Sequence, residues 1–188
     1  MCIRDRTRGV RPDVLANLEE EPSQLYISME AWDKKSYNYF NRPLVPRAWE
    51  LTMETLEMLP SFSSPTVLRI TLVRGFNDTE EALEGFARLV KTASPTYVEV
   101  KAYMWVGASR ERLSRTNMPS HEEVRRFSWR LAEKIGYKVY GEVKASRVVL
   151  LSSIEKPVRH GKGCPEGPET PEPPTGEYEA IDNPELTY

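Results

Sequence analysis

Charged and hydroxyl side chains interrupt otherwise apolar segments of this chain at regular spacing. Arg69 lies inside one such segment, and Glu99 and Lys101 lie two residues apart inside another. Ser28 and Glu30 alternate with apolar residues in an earlier segment. A charge that is removed from water costs free energy unless it is paired or binds a ligand. These residues are therefore the first candidates for ion pairs, ligand binding or acid–base chemistry.

Each candidate has a structural and a functional interpretation. Arg69 either forms an ion pair, with Glu99 as the nearest choice, or binds an anionic ligand, and the two roles are compatible. Glu99 and Lys101 share one strand face, which predicts either a salt bridge or a substrate pocket. A lysine in a desolvated pocket can also form a Schiff base, a role that the sequence leaves unassigned. Ser28 and Glu30 either form the polar face of their strand or contact a ligand.

A second group of candidates is basic. The segment from Trp105 to Pro119, called here the arginine loop, is polar and contains Arg110, Arg112 and Arg115. A charge-rich loop is usually solvated surface. Arginines that follow a strand on the side of a binding site can instead contact the phosphates of a nucleic acid.

No metal site is predicted from the histidines and cysteines. His121 falls in the first turn of a predicted helix, where it caps or packs, and His160 and Cys164 lie in a segment without a second pair of ligands. Cys2 and Cys164 are the only cysteines, so a disulfide framework is not expected. The closely spaced triplet C-x-x-x-C-x-x-C, which would hold an iron–sulfur cluster, is absent from the sequence.

Strands and helices alternate along the chain. Predicted strands cover residues 24–31, 66–73, 97–103, 138–143 and 147–152, and predicted helices cover 11–20, 33–39, 46–59, 79–93 and 120–135. This order predicts parallel strands with right-handed crossovers, whereas the last two strands are close enough to form an antiparallel hairpin at the sheet edge. Polar residues near the carboxyl ends of parallel strands are typical of a barrel active site. The expected fold class is α/β, a partial TIM-like barrel with outer helices.

Composition narrows the functional classes. A chain of 188 residues can form one domain with a core. Its net charge of −2 means that any contact with nucleic acid must come from a local patch. No apolar run is long enough to span a membrane and no signal peptide is visible, so a cytoplasmic protein is expected. From residue 154 onward Pro, Gly and Glu dominate, which predicts a disordered tail.

Five segments, in order, together resemble the tRNA 4-demethylwyosine synthase family in its archaeal form. The segments are Gln24–Ala31, Asn41–Leu44, Leu68–Gly75, Val98–Met104 and Asn117–Val124. The resemblance covers roughly residues 7–152. It implies the barrel fold of radical S-adenosylmethionine (SAM) enzymes.

The resemblance also implies an activity. Enzymes of this family use SAM, a 4Fe–4S cluster and pyruvate to convert 1-methylguanosine, next to the anticodon of phenylalanine tRNA, into the tricyclic base 4-demethylwyosine. The cofactor carries the radical chemistry, and the protein positions and shields it. The cofactor-binding residues that it implies are Ser28, Glu30, Arg69, Thr71 and Asn77. The implied catalytic residues are Lys101 and Glu99, and the implied tRNA contacts are Arg110, Arg112, Arg115 and Asn117.

The sequence departs from the family pattern in several places. Residues 1–6 resemble a translated sequencing adapter, Arg8 stands where the family has Asn, and Glu30 stands where it has Asp. We expect a non-native leader at 1–6, the carboxyl-terminal part of the barrel domain at 7–153, and the tail at 154–188. Such a chain would lack the amino-terminal half with the cluster ligands and be inactive alone. The alternatives are another radical SAM enzyme, such as a glycyl-radical activase, a catalytically inert tRNA-binding module, or an inert gene fragment.

Overall fold

The computed structural model describes residues 4–156, which form one six-stranded sheet. The strands are β1 (Arg4–Thr7), β2 (Gln24–Met29), β3 (Thr66–Leu72), β4 (Tyr97–Ala102), β5 (Lys138–Val143) and β6 (Val148–Ser152). Their order across the sheet is β1-β2-β3-β4-β6-β5. The first four strands are parallel, and β6 is antiparallel to both β4 and β5.

Five α-helices connect the strands. They are α1 (Pro12–Ala16), α2 (Lys34–Asn41), α3 (Ala48–Met58), α4 (Glu80–Ala93) and α5 (His121–Ile135). Side-chain caps set the starts of the helices that flank the site. Asp33 accepts a 2.7 Å hydrogen bond from the backbone N–H of Ser36, Thr79 caps α4, and Ser120 caps α5. These caps satisfy N–H groups that have no partner inside the helix.

The two faces of the sheet differ in chemistry. In β2, β3 and β4 every second residue is apolar and buried against helices on one face, including Ile27, Ile70 and Val100. The residues between them are polar or charged and half-buried on the opposite face, as at Ser28 and Arg69. The apolar face holds the core, so the polar face is left available to bind ligands.

The predicted architecture is confirmed. The strands that begin at Gln24, Thr66 and Tyr97 are neighbours in one parallel sheet, and the last two strands form an antiparallel hairpin. The hairpin folds back, so that β6 lies between β4 and β5. Within the described residues, no helix is long and apolar enough to cross a membrane.

Some predicted boundaries are wrong. The first helix spans Pro12–Ala16 and not 11–20, and α3 begins at Ala48 because Arg47 adopts a left-handed conformation with φ of 58°. Residues 4–6, assigned to a separate leader, continue with Thr7 as strand β1, which pairs with β2. The non-native origin of residues 1–6 stays a prediction. The predicted tail lies, from residue 157 onward, outside the described residues.

An ion pair joins the β3–α4 turn to the start of α5. Arg74 Nε donates to Glu123 Oε1 over 2.6 Å, and the Ser120 N–H donates to Glu123 Oε2 over 2.7 Å. Burial opposes ionisation of Glu123, but the hydrogen bonds from Arg74 and Ser120 outweigh it and lower the pKa of this carboxyl to about 2. The ionised form therefore stabilises the folded chain.

We expect Glu123→Gln to lower the free energy of unfolding by about 2 kcal/mol at neutral pH, as read from urea titrations. Because the folded-state pKa is below the ordinary value of 4.5, the stabilisation is complete above that pH and is lost as the pH falls toward 2. The gap between wild type and variant should narrow over this range. Glu133→Gln, an exposed change on the same helix, is the control. A gap that does not depend on pH would contradict the pairing.

Candidate active site

Strand register brings the predicted site residues together on the polar face. Arg69 lies opposite Ser28 on one side and opposite Glu99 on the other, and Thr71 lies opposite Lys101. A concavity of about 640 Å³ covers the carboxyl-terminal part of these strands. Its lining includes Ser28, Glu30, Arg69, Thr71 and Lys101. Ser28, Arg69 and Lys101 therefore share one face of the sheet and line one concavity, and their roles stay predictions.

Arg69 and Glu99 form the predicted ion pair. Arg69 Nε lies 2.9 Å from Glu99 Oε1, and the two side chains are 18% and 16% exposed. Pairing offsets part of the cost of removing both charges from water. It also fixes the plane of the guanidinium, which lines the 640 Å³ concavity and a neighbouring one of about 440 Å³. Glu99 therefore holds Arg69 in place, and its catalytic role stays a prediction.

Lys101 differs from the paired charges of Arg69 and Glu99 because its ammonium has no hydrogen bond or ion pair among the described residues. The alternative of a mutual Glu99–Lys101 salt bridge is wrong, since Glu99 pairs with Arg69. Lys101 is half-buried and lines both concavities. A half-buried cation without a carboxylate partner is suited to bind an anionic ligand.

Glu30 and Arg8, the two positions that depart from the family pattern, contact each other. Arg8 lies 2.8 Å from Glu30 and also donates to Asn41. Glu30 is 17% exposed on the wall of the concavity. The Glu30 carboxylate thus meets the Arg8 guanidinium at the edge of the concavity.

Asn77 does not reach the cavity, and its predicted contact with a cofactor is wrong. The residue is fully buried, its amide donates to the carbonyls of Glu30 and Thr71, and its Oδ1 accepts from the N–H of Val73. Its backbone is not left-handed either; in this turn Gly75 has the positive φ. Asn77 ties the ends of β2 and β3 together, which positions Glu30 and Thr71.

Arg112 and Asn117, both predicted to contact RNA, anchor the arginine loop to other parts of this chain. Arg112 donates to the carbonyls of Phe40 and Tyr39, at 3.0 and 2.8 Å, at the end of α2. Asn117 donates to the Arg74 carbonyl over 3.1 Å and accepts from the Ser114 N–H. Both side chains anchor the loop, and their assignment as RNA contacts stays a prediction.

Sequence reasoning missed residues that line the cavities. A third concavity of about 670 Å³ lies between the end of α2 and the arginine loop, and its wall includes Tyr39, Phe40 and Tyr103. Arg6, on β1, lines the other two. The continued strand alternation beyond Lys101 predicts the inward position of Tyr103. Arg6 falls in the segment 1–6 that the sequence predicts to be a non-native leader.

The described residues contain no cluster of histidine, cysteine or carboxylate ligands that could hold a metal ion. His121 Nε2 lies 3.2 Å from Glu142 Oε2, so the histidine packs at the start of α5. Cys2, His160 and Cys164 lie outside the described residues.

Comparisons with a family model and with individual relatives indicate the same protein family. A family model described as Wyosine base formation matches residues 92–153, which span β4, the arginine loop, α5 and the hairpin. A tRNA 4-demethylwyosine synthase of Pyrococcus abyssi is 42% identical over 149 residues, which are 77% of this chain and 43% of the relative. The human enzyme is 34% identical over 148 residues, 78% of this chain and 20% of the relative. The chain thus spans less than half the length of these relatives.

Solved structures agree. A TYW1 with a lysine–pyruvate adduct bound has a TM-score of 0.69 and 33% identity, covering 79% of this chain and 46% of that one. An archaeal TYW1 has a TM-score of 0.66 and 29% identity, covering 82% and 47%. A radical SAM methyltransferase from Sphaerobacter thermophilus, at 20% identity and a TM-score of 0.51 over 70% of this chain and 37% of its own, shares the fold. This chain belongs to the tRNA 4-demethylwyosine synthase family and has part of its TIM-like barrel.

Proposed function

We propose that this chain forms one wall of the active site of a tRNA-modifying enzyme. The enzyme converts 1-methylguanosine in phenylalanine tRNA, beside the anticodon, into 4-demethylwyosine with SAM and pyruvate, and it acts in the cytoplasm. One observation carries the proposal. The polar face of a sheet related to these synthases has a paired arginine, Arg69, beside an unpaired lysine, Lys101, over a cavity of about 640 Å³.

The residues of this wall fit SAM. The Arg69 guanidinium can hold the carboxylate of the cofactor through parallel hydrogen bonds. The hydroxyls of Ser28 and Thr71 line the same cavity and have no hydrogen-bond partner among the described residues, so they are available to the ribose or ammonium groups. When bound, the cofactor supplies the radical that abstracts hydrogen from the substrate methyl group. These side chains bind and orient it and keep water away.

The described residues do not fit the 4Fe–4S cluster, because residues 4–156 contain no cysteine. We assign no residue of this wall to the cluster and no step through it.

Lys101 is the group that we assign to pyruvate. Its half-buried ammonium has no carboxylate partner among the described residues and opens into both cavities beside Arg69. A compact cation in such a position attracts a small carboxylate more strongly than the same cation does in water. A relative has been solved with a lysine–pyruvate adduct. Here we propose only that Lys101 holds the carboxylate by its charge.

A segment exchange tests the proposal. Residues 7–153 of this chain replace the matching segment of the Pyrococcus abyssi relative, and the hybrid is reconstituted with iron and sulfide. It is then incubated with SAM, pyruvate, reductant and tRNA that contains 1-methylguanosine. We expect mass spectrometry of the nucleosides to show the tricyclic base. A folded hybrid that binds the tRNA and leaves 1-methylguanosine unchanged would favour an inert binding module instead.

A further inference from the structure

Trp105, the first residue of the arginine loop, contacts two guanidinium groups. Arg110 Cζ lies 4.8 Å from the centre of the indole, and Arg115 Cζ lies 5.0 Å from it. The indole is held in turn, since its Nε1–H donates to the carbonyl of Leu113 over 2.7 Å. Arg110 Nε also donates to the Trp105 carbonyl over 3.2 Å. One ring therefore fixes the positions of two cations.

Neither cation is neutralised within the described part of the chain. Arg110 and Arg115 are exposed and form no ion pair there. Many other described arginines do pair with carboxylates, namely Arg8, Arg11, Arg47, Arg69, Arg74, Arg125 and Arg130. A chain of net charge −2 thus keeps two adjacent positive charges free on one loop.

The loop that carries them is anchored on the rim of the cavities. Arg112 and Asn117 tie it to α2 and to the β3–α4 turn, and Val106 and Leu113 line the cavities themselves. Stacking on an aromatic face holds a guanidinium through the ring quadrupole and leaves its edge free to donate. Side chains that are already ordered lose less entropy when they bind.

We propose that Trp105 is a positioning residue that holds Arg110 and Arg115 ready for neighbouring phosphates of the substrate RNA. The inference rests on the proposed function, because a tRNA base that enters the cavities brings its own backbone to this rim. Phosphate oxygens match the donor pattern of a guanidinium edge. Trp105 acts through the arginines and has no direct contact with the RNA in this account.

A double-mutant cycle tests it. The 188-residue chain is titrated with a fluorescent anticodon stem-loop of phenylalanine tRNA that contains 1-methylguanosine, at several salt concentrations. We expect Trp105→Ala to raise Kd about tenfold in the native sequence. In the background of Arg110→Ala and Arg115→Ala, the same change should raise Kd less than about twofold. The two arginine changes alone should lower the salt slope by about 1.4 to 1.8.

Two further variants separate positioning from folding. Replacing Arg110 and Arg115 by lysine keeps both charges and loses the planar stack, so Kd should rise several-fold while the salt slope is retained. Arg88→Ala, which removes an exposed arginine from the outer helix α4, should leave Kd unchanged.

The outcomes are distinct. Equal effects of Trp105→Ala in both backgrounds would mean that the indole contacts the RNA itself, and no effect in either would mean that the stack is incidental; each overturns the inference and leaves RNA binding intact. A folded chain that binds an acidic peptide and not the stem-loop would overturn the inference together with the RNA substrate.

Discussion

Lys101→Ala in the hybrid enzyme should reduce kcat/KM for pyruvate by roughly 10- to 100-fold, because a hydrogen bond from a charged group to a desolvated carboxylate contributes about 1.5–3 kcal/mol. The loss should fall mainly on KM, since the charge is proposed to hold the carboxylate before and during the reaction. Product formation at varied pyruvate concentration, measured by mass spectrometry, gives both constants.

Two control variants make this result specific. Lys101→Arg keeps the positive charge on a different geometry and should recover part of the activity. Lys138→Ala removes a lysine that is 72% exposed on β5, away from the cavities, so pyruvate kinetics should not change. If Lys101→Ala leaves KM for pyruvate unaltered and lowers the affinity for SAM instead, Lys101 belongs to the cofactor site.

Gly85→Ala should destabilise the chain by about 1–3 kcal/mol, despite the higher helix propensity of alanine. A Cβ at Gly85 would lie 2.5 Å from Cδ1 and 2.6 Å from Cβ of Trp32. Trp32 is 7% exposed and packs edge-on against Phe86, so its ring cannot move away without disturbing the core. The steric cost therefore exceeds the gain of about 1 kcal/mol in propensity.

Urea unfolding followed by circular dichroism measures this effect. Thr92→Ala, at an exposed position of the same helix, serves as the control and should change stability by less than about 0.5 kcal/mol. In a Trp32→Leu background, Gly85→Ala should lower the free energy of unfolding by less than it does in the native sequence, because the smaller side chain makes room for the methyl group. A Gly85→Ala variant as stable as the wild type would show that α4 can shift away from Trp32.

The fold was predictable because the residue spacing in the strands and the residue spacing in the helices indicate the same buried surface. Alternation in the strands and three-to-four spacing in the helices both require one apolar sheet face, covered by helices. The Arg69–Glu99 pair was also predictable, since buried charges on adjacent strands need partners. Among Arg69, Glu99 and Lys101, only Lys101 is left without an ion pair within residues 4–156. This outcome depends on strand register, which the sequence does not determine at single-residue precision.

Contacts of the loops were less predictable. Asn77, Arg112 and Asn117 have the side chains that ligand and RNA sites use, and each is instead bound to backbone carbonyls of a distant segment. Their partners are tens of residues away in the sequence, so residue type alone could not separate anchoring from binding. The stacking of Arg110 and Arg115 on Trp105 depends on the same loop geometry.

If the polar face of the sheet is a ligand-binding wall, the protein should bind SAM through Arg69. Equilibrium dialysis of radiolabelled SAM against the hybrid tests it most directly. The double variant Arg69→Gln, Glu99→Gln removes the guanidinium without leaving a lone carboxylate, and it should weaken binding at least about tenfold. Arg88→Ala, on the outer helices, should bind as the unchanged hybrid does. Equal affinity in all three proteins would contradict the account and make this face a solvated surface.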